Sequence, residues 1–255
     1  MKIVYGPVAS WRLGRSLGVD LICSPNKICS FDCIYCQLGK PEKITNKRES
    51  FVSLKKLRNE LQYALEIATP DVITLSGMGE PSLVSNLAKA IEIIQELTDL
   101  PIAILTNSSL LFKKEVRDIL STLNIIVAKL DASNQNIFKK INQPAEGITF
   151  KKTLDGIKKM RKSFKGKFAI QIMFINENKE YAHQIAELTR EIKPDEVQIN
   201  TPTRPCDVVP LQKNELKKIE KMFHGLNTIS VYTSQKISTN PLDKSELIKR
   251  RRMEM

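Results

Sequence analysis

Three cysteines spaced as Cys29-x-x-x-Cys33-x-x-Cys36 are the residues of this chain best suited to chemistry. A cube of four irons and four sulfides normally takes four thiolates, so a compact loop that supplies three leaves one iron open to a small molecule. That open iron is where a reaction can start. Structural zinc asks instead for four closed protein ligands, usually from two paired-cysteine knuckles, and the sequence has no second knuckle. Two plainer readings stay open on spacing alone: a zinc loop closed by Cys23, or a scatter of buried thiols.

A second group lies downstream. Val72-Ile73-Thr74-Leu75 reads as a short buried parallel strand, and it runs into Ser76-Gly77-Met78-Gly79-Glu80-Pro81. The glycines permit close backbone approach to a ligand, Pro81 stops the strand, and a carboxylate at the carboxyl end of such a strand is placed to pair with an ammonium. The bland alternative is a tight turn with a solvated Glu80.

The run Cys29-Ser30-Phe31-Asp32-Cys33-Ile34-Tyr35-Cys36 resembles the cluster loop of the radical S-adenosylmethionine (SAM) superfamily, and residues 76–81 resemble its Gly-Gly-Glu strand end. The resemblance implies a 4Fe-4S cluster on Cys29, Cys33 and Cys36 whose fourth iron chelates SAM. Reductive cleavage then yields methionine and a 5'-deoxyadenosyl radical. It also implies that Tyr35 lies against the adenine, that Gly77, Met78, Gly79 and Glu80 hold the SAM ammonium, and that electrons come from ferredoxin or flavodoxin. The opening Tyr5-Gly6-Pro7-Val8-Ala9-Ser10-Trp11-Arg12-Leu13-Gly14-Arg15-Ser16-Leu17-Gly18-Val19-Asp20-Leu21 is similar to a subgroup related to the tRNA wyosine-base synthases. Lys129-Leu130-Asp131-Ala132 and Asn200-Thr201-Pro202-Thr203-Arg204-Pro205 extend the likeness, but the additional amino-terminal cysteines that hold a second cluster in those synthases are missing. RNA base modification is therefore the leading substrate reading, ahead of a glycyl-radical activase or a peptide modifier. A zinc or iron-sulfur nucleic-acid-binding module is the non-enzyme alternative.

These residues need a frame. Apolar periodicity predicts strands at 17–22, 72–75, 102–105, 125–130, 168–175 and 196–199, with helices at 54–68, 83–97, 113–120, 150–164 and 179–192 between them. Six β/α units imply a parallel sheet with right-handed crossovers. The family resemblance makes this α/β pattern a partial (β/α)6 barrel, although an open doubly wound sheet would give the same periodicity. Residues 1–205 form the barrel domain in this reading. Residues 206–255, with a helix at 213–223, a strand at 228–232 and a basic helix at 244–252, form a small helical cap on the same domain.

Ligands sit at the carboxyl ends of strands in such sheets. One end carries Thr106-Asn107-Ser108-Ser109, where Asn107 could meet ribose or substrate, unless the run is a plain turn. The next carries Lys129 and Asp131. A lysine in an apolar run is costly to bury unpaired, so Lys129, the candidate catalytic group, needs Asp131, Glu80 or the SAM carboxylate as partner. Cys23 and Cys206 read as a buried and a loop thiol, and His183 and His224 as ordinary helical residues.

The chain has 255 residues, enough for one large core, and no apolar stretch of the length that spans a bilayer. Its cysteine usage fits a reducing compartment, so a cytoplasmic location is expected. A net charge of +12 points to polyanionic partners, with tRNA the candidate. Eight basic residues fall within 151–167, on a helix whose other face is apolar, and four more form Lys249-Arg250-Arg251-Arg252. A solvated face and tail would look the same.

Overall fold

The computed structural model describes residues 1–235 and 237–251. The chain opens with a hairpin, β1 (Val4–Ser10) and β2 (Gly14–Val19), followed by two short strands, β3 (Ile28–Cys29) and β4 (Lys43–Ile44). Alternation then begins with α1 (Leu54–Ile67), β5 (Val72–Leu75), α2 (Leu87–Leu97), β6 (Ile102–Thr106), α3 (Lys114–Leu120) and β7 (Ile125–Lys129). It continues through α4 (Gln135–Asn142), α5 (Phe150–Ser163), β8 (Lys167–Met173), α6 (Ala182–Ile192) and β9 (Glu196–Asn200). The chain closes with α7 (Lys213–Met222), β10 (Thr228–Ser230) and α8 (Lys244–Arg251).

The eight-stranded sheet has the order β1-β2-β5-β6-β7-β8-β9-β10. From β2 onward every pairing is parallel and strictly sequential. Right-handed crossovers in an order that never reverses place the crossover helices on one face, which rules out a doubly wound sheet and lets the strands curl into a half-barrel. The sheet exceeds the six expected barrel strands by one at each edge: β1 is additional, and β10 is the strand expected at 228–232, which joins the sheet. β1 joins antiparallel to β2, and β10 pairs with β9. The expected strand at 17–22 starts earlier and stops at Val19, because the Asp20 carboxylate accepts from the N–H groups of Ile22 and Cys23 and turns the chain.

The helices turn apolar faces toward the sheet. Leu57, Leu61, Ile91, Ile94, Ile157, Met160 and Ile185 are buried against the strands. A second cluster of Phe31, Tyr35, Ile137, Phe138 and Ile141 lies under the cysteine loop. It is built by α4, a short helix with no counterpart in the periodicity reading. Asn134 caps its start by accepting from the N–H groups of Asn136 and Ile137, and Gln143 ends it in the left-handed conformation.

After β10 the chain returns to the opposite edge of the sheet. Leu242 donates to the Gly6 carbonyl, and Thr239 to that of Pro7. Arg250 of α8 is buried, paired with Asp20 and Glu246, and stacked on the Tyr5 ring. It is therefore a structural cation and not a surface phosphate contact. Of the other members of that basic run, Arg252 and the side chains of Lys249 and Arg251 lie outside the described residues. His224 follows the end of α7 and lies in a turn. No helix among the described residues is long and apolar enough to cross a membrane.

Candidate active site

The cysteine loop is fastened at its start to the carboxyl edge of the sheet and, through residues 29–32, to β4 and the segment after α4. Ile28 donates its N–H to the Met78 carbonyl at 3.0 Å, and the Ile28 carbonyl accepts from Glu80 N. Farther along, Thr45 donates to Cys29, Ala145 to Ser30, and Asp32 to Gln143. This explains Gly79. Its φ is +153°, and a Cβ there would stand 1.6 Å from the Ile28 carbonyl oxygen. The close approach foreseen for a ligand is thus made by the chain itself. Gly77 is similarly closed by the Asp20 carboxyl group, and the Met78 side chain lies in the core while its backbone bonds Ile28 and Asp20.

Cys29 is buried, and Cys33 and Cys36 are half-buried. Burial pushes the Cys29 thiol up to about 12 and the Cys33 thiol to about 11, so both need a strong electrostatic reason to ionise. A bound metal supplies one, since coordination deprotonates thiols outright. The surroundings are already arranged for it. Asn107 Nδ2 reaches Cys29 Sγ at 3.6 Å, and Asn142 Nδ2 reaches Cys33 Sγ at 3.4 Å. Lys27 is buried close to all three thiols; burial works against its ammonium, yet the thiols and Asp32 together raise its pKa. Amide donors and a buried cation around three thiols fit a polynuclear, negatively charged group. Among the described residues no three Cys, His, Asp or Glu side chains, these cysteines included, stand close enough together to hold a single metal ion. Cys23 and Cys206 turn away, toward the carbonyls of Met1 and Val208.

Glu80 is 2% exposed, and its carboxylate is occupied. Oε1 accepts from Ser82 N at 3.1 Å and Thr106 Oγ1 at 2.7 Å, and Oε2 from Asn107 N at 2.6 Å. Burial raises its pKa, and the hydrogen bonds from Ser82, Asn107 and Thr106 offset only some of that rise. Glu80 thereby ties the end of β5 to the end of β6 and holds Asn107 over Cys29. It is no solvated turn residue. Asp131 has the matching role just past the end of β7. It accepts from Met173 N at 2.8 Å, from Asn142 Nδ2 at 3.0 Å and from the Tyr35 hydroxyl, and pairs with Lys129 at 3.4 Å. Burial and the Asp131 charge hold the Tyr35 phenol well above its ordinary pKa, so it remains a donor. Lys129 sits 4.8 Å above the Tyr35 ring, and of the three partners considered for it, Asp131 is the one the fold supplies.

Two adjoining cavities of about 300 and 270 Å³ open beside this loop and share Trp11, Arg12, Gln37, Leu105 and Arg204. Thr74, Leu105, Lys129, Gln171 and Asn200, from five successive strands, line their inner walls, and Cys36 and Tyr35 line the second. The hairpin turn carrying Trp11 and Arg12 does not stand out in the sequence. Its only signal is its place within the amino-terminal run that resembles the subgroup.

A half-barrel with three thiols at its carboxyl mouth, beside a cavity lined by strand-end polar groups, defines an enzyme class. The chain belongs to the radical SAM superfamily, whose pattern it matches over residues 23–189. It is 42% identical to the UPF0026 protein slr1464 of Synechocystis sp., across 82% of this chain and 78% of that protein. The UPF0026 protein MJ1312 of Methanocaldococcus jannaschii is 33% identical across 90% of this chain and 72% of its own length. A protein named GTPase Obg from Brachyspira hyodysenteriae is 38% identical over 97% of this chain, which spans only 38% of that protein. The present sequence contains no Gly-x-x-x-x-Gly-Lys-Ser/Thr run of the kind that cradles phosphates in P-loop GTPases. Among solved folds, Streptococcus suis SuiB bound to its precursor peptide SuiA superposes with a TM-score of 0.64 at 17% identity, covering 83% of this chain and 48% of SuiB. Archaeal TYW1 superposes at 0.55 and 14% identity, covering 84% and 72%.

Proposed function

We propose that the chain holds a 4Fe-4S cluster on Cys29, Cys33 and Cys36 and cleaves SAM reductively, with an RNA base as the substrate class. When bound, the cluster and SAM supply a 5'-deoxyadenosyl radical, the electron coming from a low-potential protein such as ferredoxin or flavodoxin. The observation that carries this reading is a pair of side-chain amides, Asn107 just past β6 and Asn142 at the end of α4, each held by a buried carboxylate and directed at a cysteine sulfur. Hydrogen bonds of this kind tune a cluster and orient its ligands.

The protein's own residues then bind and orient. Glu80 positions Asn107, and Asp131 positions Tyr35 and Lys129. The Gly77–Gly79 backbone and the Tyr35 ring offer surfaces for the amino acid and adenine ends of SAM. Lys129 supplies positive charge beside Cys36 in the second cavity. The walls of the half-barrel limit access of water to the reacting group.

RNA is supported by the sequence resemblance to the wyosine-base synthases and by the net charge of +12. The basic helix contributes less than its composition suggests. Lys158 pairs with Glu191, Arg161 with Asp195, and Lys167, at the start of β8, with Glu196. That end of α5 lies at the amino-terminal edge of the sheet, away from the cysteines. Any RNA contact is therefore expected at the mouth.

Anaerobic reconstitution with iron, sulfide, SAM and a strong reductant should yield 5'-deoxyadenosine, and Cys23→Ala should retain both iron and product. Loss of iron in Cys23→Ala would overturn the three-thiolate assignment. Unchanged modified nucleosides in tRNA and rRNA from a deletion strain would remove RNA as the substrate.

A further inference from the structure

The described cations that are buried or half-buried near the site have anionic company, with one exception. Arg250 faces Asp20 and Glu246, Lys27 faces Asp32, and Lys129 faces Asp131. Arg12, in the β1–β2 turn, has none. Its Nε is sealed from solvent and meets no hydrogen-bond partner. The guanidinium lies 5.3 Å from the centre of the Trp11 ring, an apolar support that fixes its plane without neutralising its charge. Burial alone acts on its titration and lowers the pKa to about 10; no carboxylate opposes that fall.

Arg12 also lines both cavities, and neither cavity has an Asp or Glu in its wall. Arg204 and Arg250 line the first with it, and Arg204 and Lys129 the second. A half-buried guanidinium whose Nε is sealed and unpartnered lacks a counterion among the described residues, and a cationic, carboxylate-free cavity draws anions. The fork of a guanidinium matches two oxygens of one carboxylate or phosphate.

We propose that Arg12 is the anion-recognition residue of the substrate pocket, receiving a phosphate or carboxylate group of the molecule that is modified. The proposal rests on the radical SAM reading for what happens next to it, but the anion site itself does not. A second source of the same chemistry is the carboxylate of SAM. In the superfamily pattern that carboxylate is chelated by the open iron, which leaves Arg12 for the other reactant.

Inorganic pyrophosphate and acetate serve as probes, titrated calorimetrically at low salt into the reconstituted, SAM-loaded protein and its Arg12→Gln and Arg12→Lys variants. Melting curves accompany each titration. At least one probe should bind the parent protein, bind Arg12→Gln at least tenfold more weakly, and bind Arg12→Lys with intermediate affinity. The SAM dissociation constant, from equilibrium dialysis, should move less than twofold. A tenfold loss of SAM affinity with unchanged probe binding would assign Arg12 to the SAM carboxylate and overturn the proposal. Equal probe binding by all three proteins, or none by the parent, would also overturn it and leave Arg12 as a partner of Trp11. If the parent protein fails to bind SAM while probe binding still depends on Arg12, the anion site stands and the radical SAM reading falls. Should Arg12→Gln fail to fold, Arg12→Lys alone carries the comparison.

Discussion

Glu80 and Asp131 do the same work past the ends of β5 and β7, on either side of β6: each is a buried carboxylate saturated by the chain's own donors. Glu80→Gln replaces one acceptor oxygen with a donor facing another donor. It should destabilise the fold by about 1.5–3 kcal/mol, the range for a hydrogen bond to a charged group. SAM affinity should fall as Asn107 loosens, read by thermal melting and equilibrium dialysis. An unchanged melting temperature with weakened SAM binding would instead put the carboxylate on SAM itself. Lys129→Met should behave differently. Asp131 keeps three other donors, so the variant should fold and retain iron while losing 5'-deoxyadenosine formation or substrate turnover. Full activity in a stable Lys129→Met protein would reduce the lysine to a prop for Tyr35.

At the scale of elements, the decisive joint is β3 against the end of β5. The Ile28–Gly79 bridge brings the cysteine loop to the strand that carries Glu80, and α4 supports the loop from the other side through Phe31 and Phe138. Gly79→Ala forces a Cβ into the Ile28 carbonyl at a backbone angle that side chains rarely adopt. Strain of this kind costs about 1–3 kcal/mol, and the collision adds to it. The variant should melt earlier and bind markedly less iron per chain, while its far-ultraviolet circular dichroism stays close to that of the parent. Normal iron content would mean that the loop can hold its thiols together without the joint.

Over the whole molecule, the carboxyl-terminal segment ties one edge of the half-barrel to the other. Arg250 closes this tie by entering the buried space between Asp20, Glu246 and the Tyr5 ring. Removing one partner of such a group leaves charge buried and unpaired, at a cost of about 3–5 kcal/mol. Arg250→Ala should therefore lower the melting temperature strongly, and the loss should not depend on whether RNA is present. A small change in stability, with a reduced salt dependence of tRNA binding, would return Arg250 to the surface role that the basic run suggested.

The cysteine spacing, the Gly-Met-Gly-Glu strand end and the βα alternation were legible because each depends on residues close together in the chain. Period, ligand count and turn chemistry are local properties. They led to the family, the half-barrel and the loop that carries the thiols. What Glu80, Asp131 and Gly79 touch was not legible, since Asn107, Tyr35, Met173 and Ile28 meet them only when strands distant in sequence lie side by side. The same holds for charge. Arg250 and Lys158 read as exposed cations until tertiary structure supplied Asp20, Glu246 and Glu191, whereas Arg12 read as one more basic residue until the fold placed it in a cavity without a carboxylate. Sequence determined which charges exist; only the packing of strands and helices decided which of them remain unpaired, because pairing is a matter of distance in space.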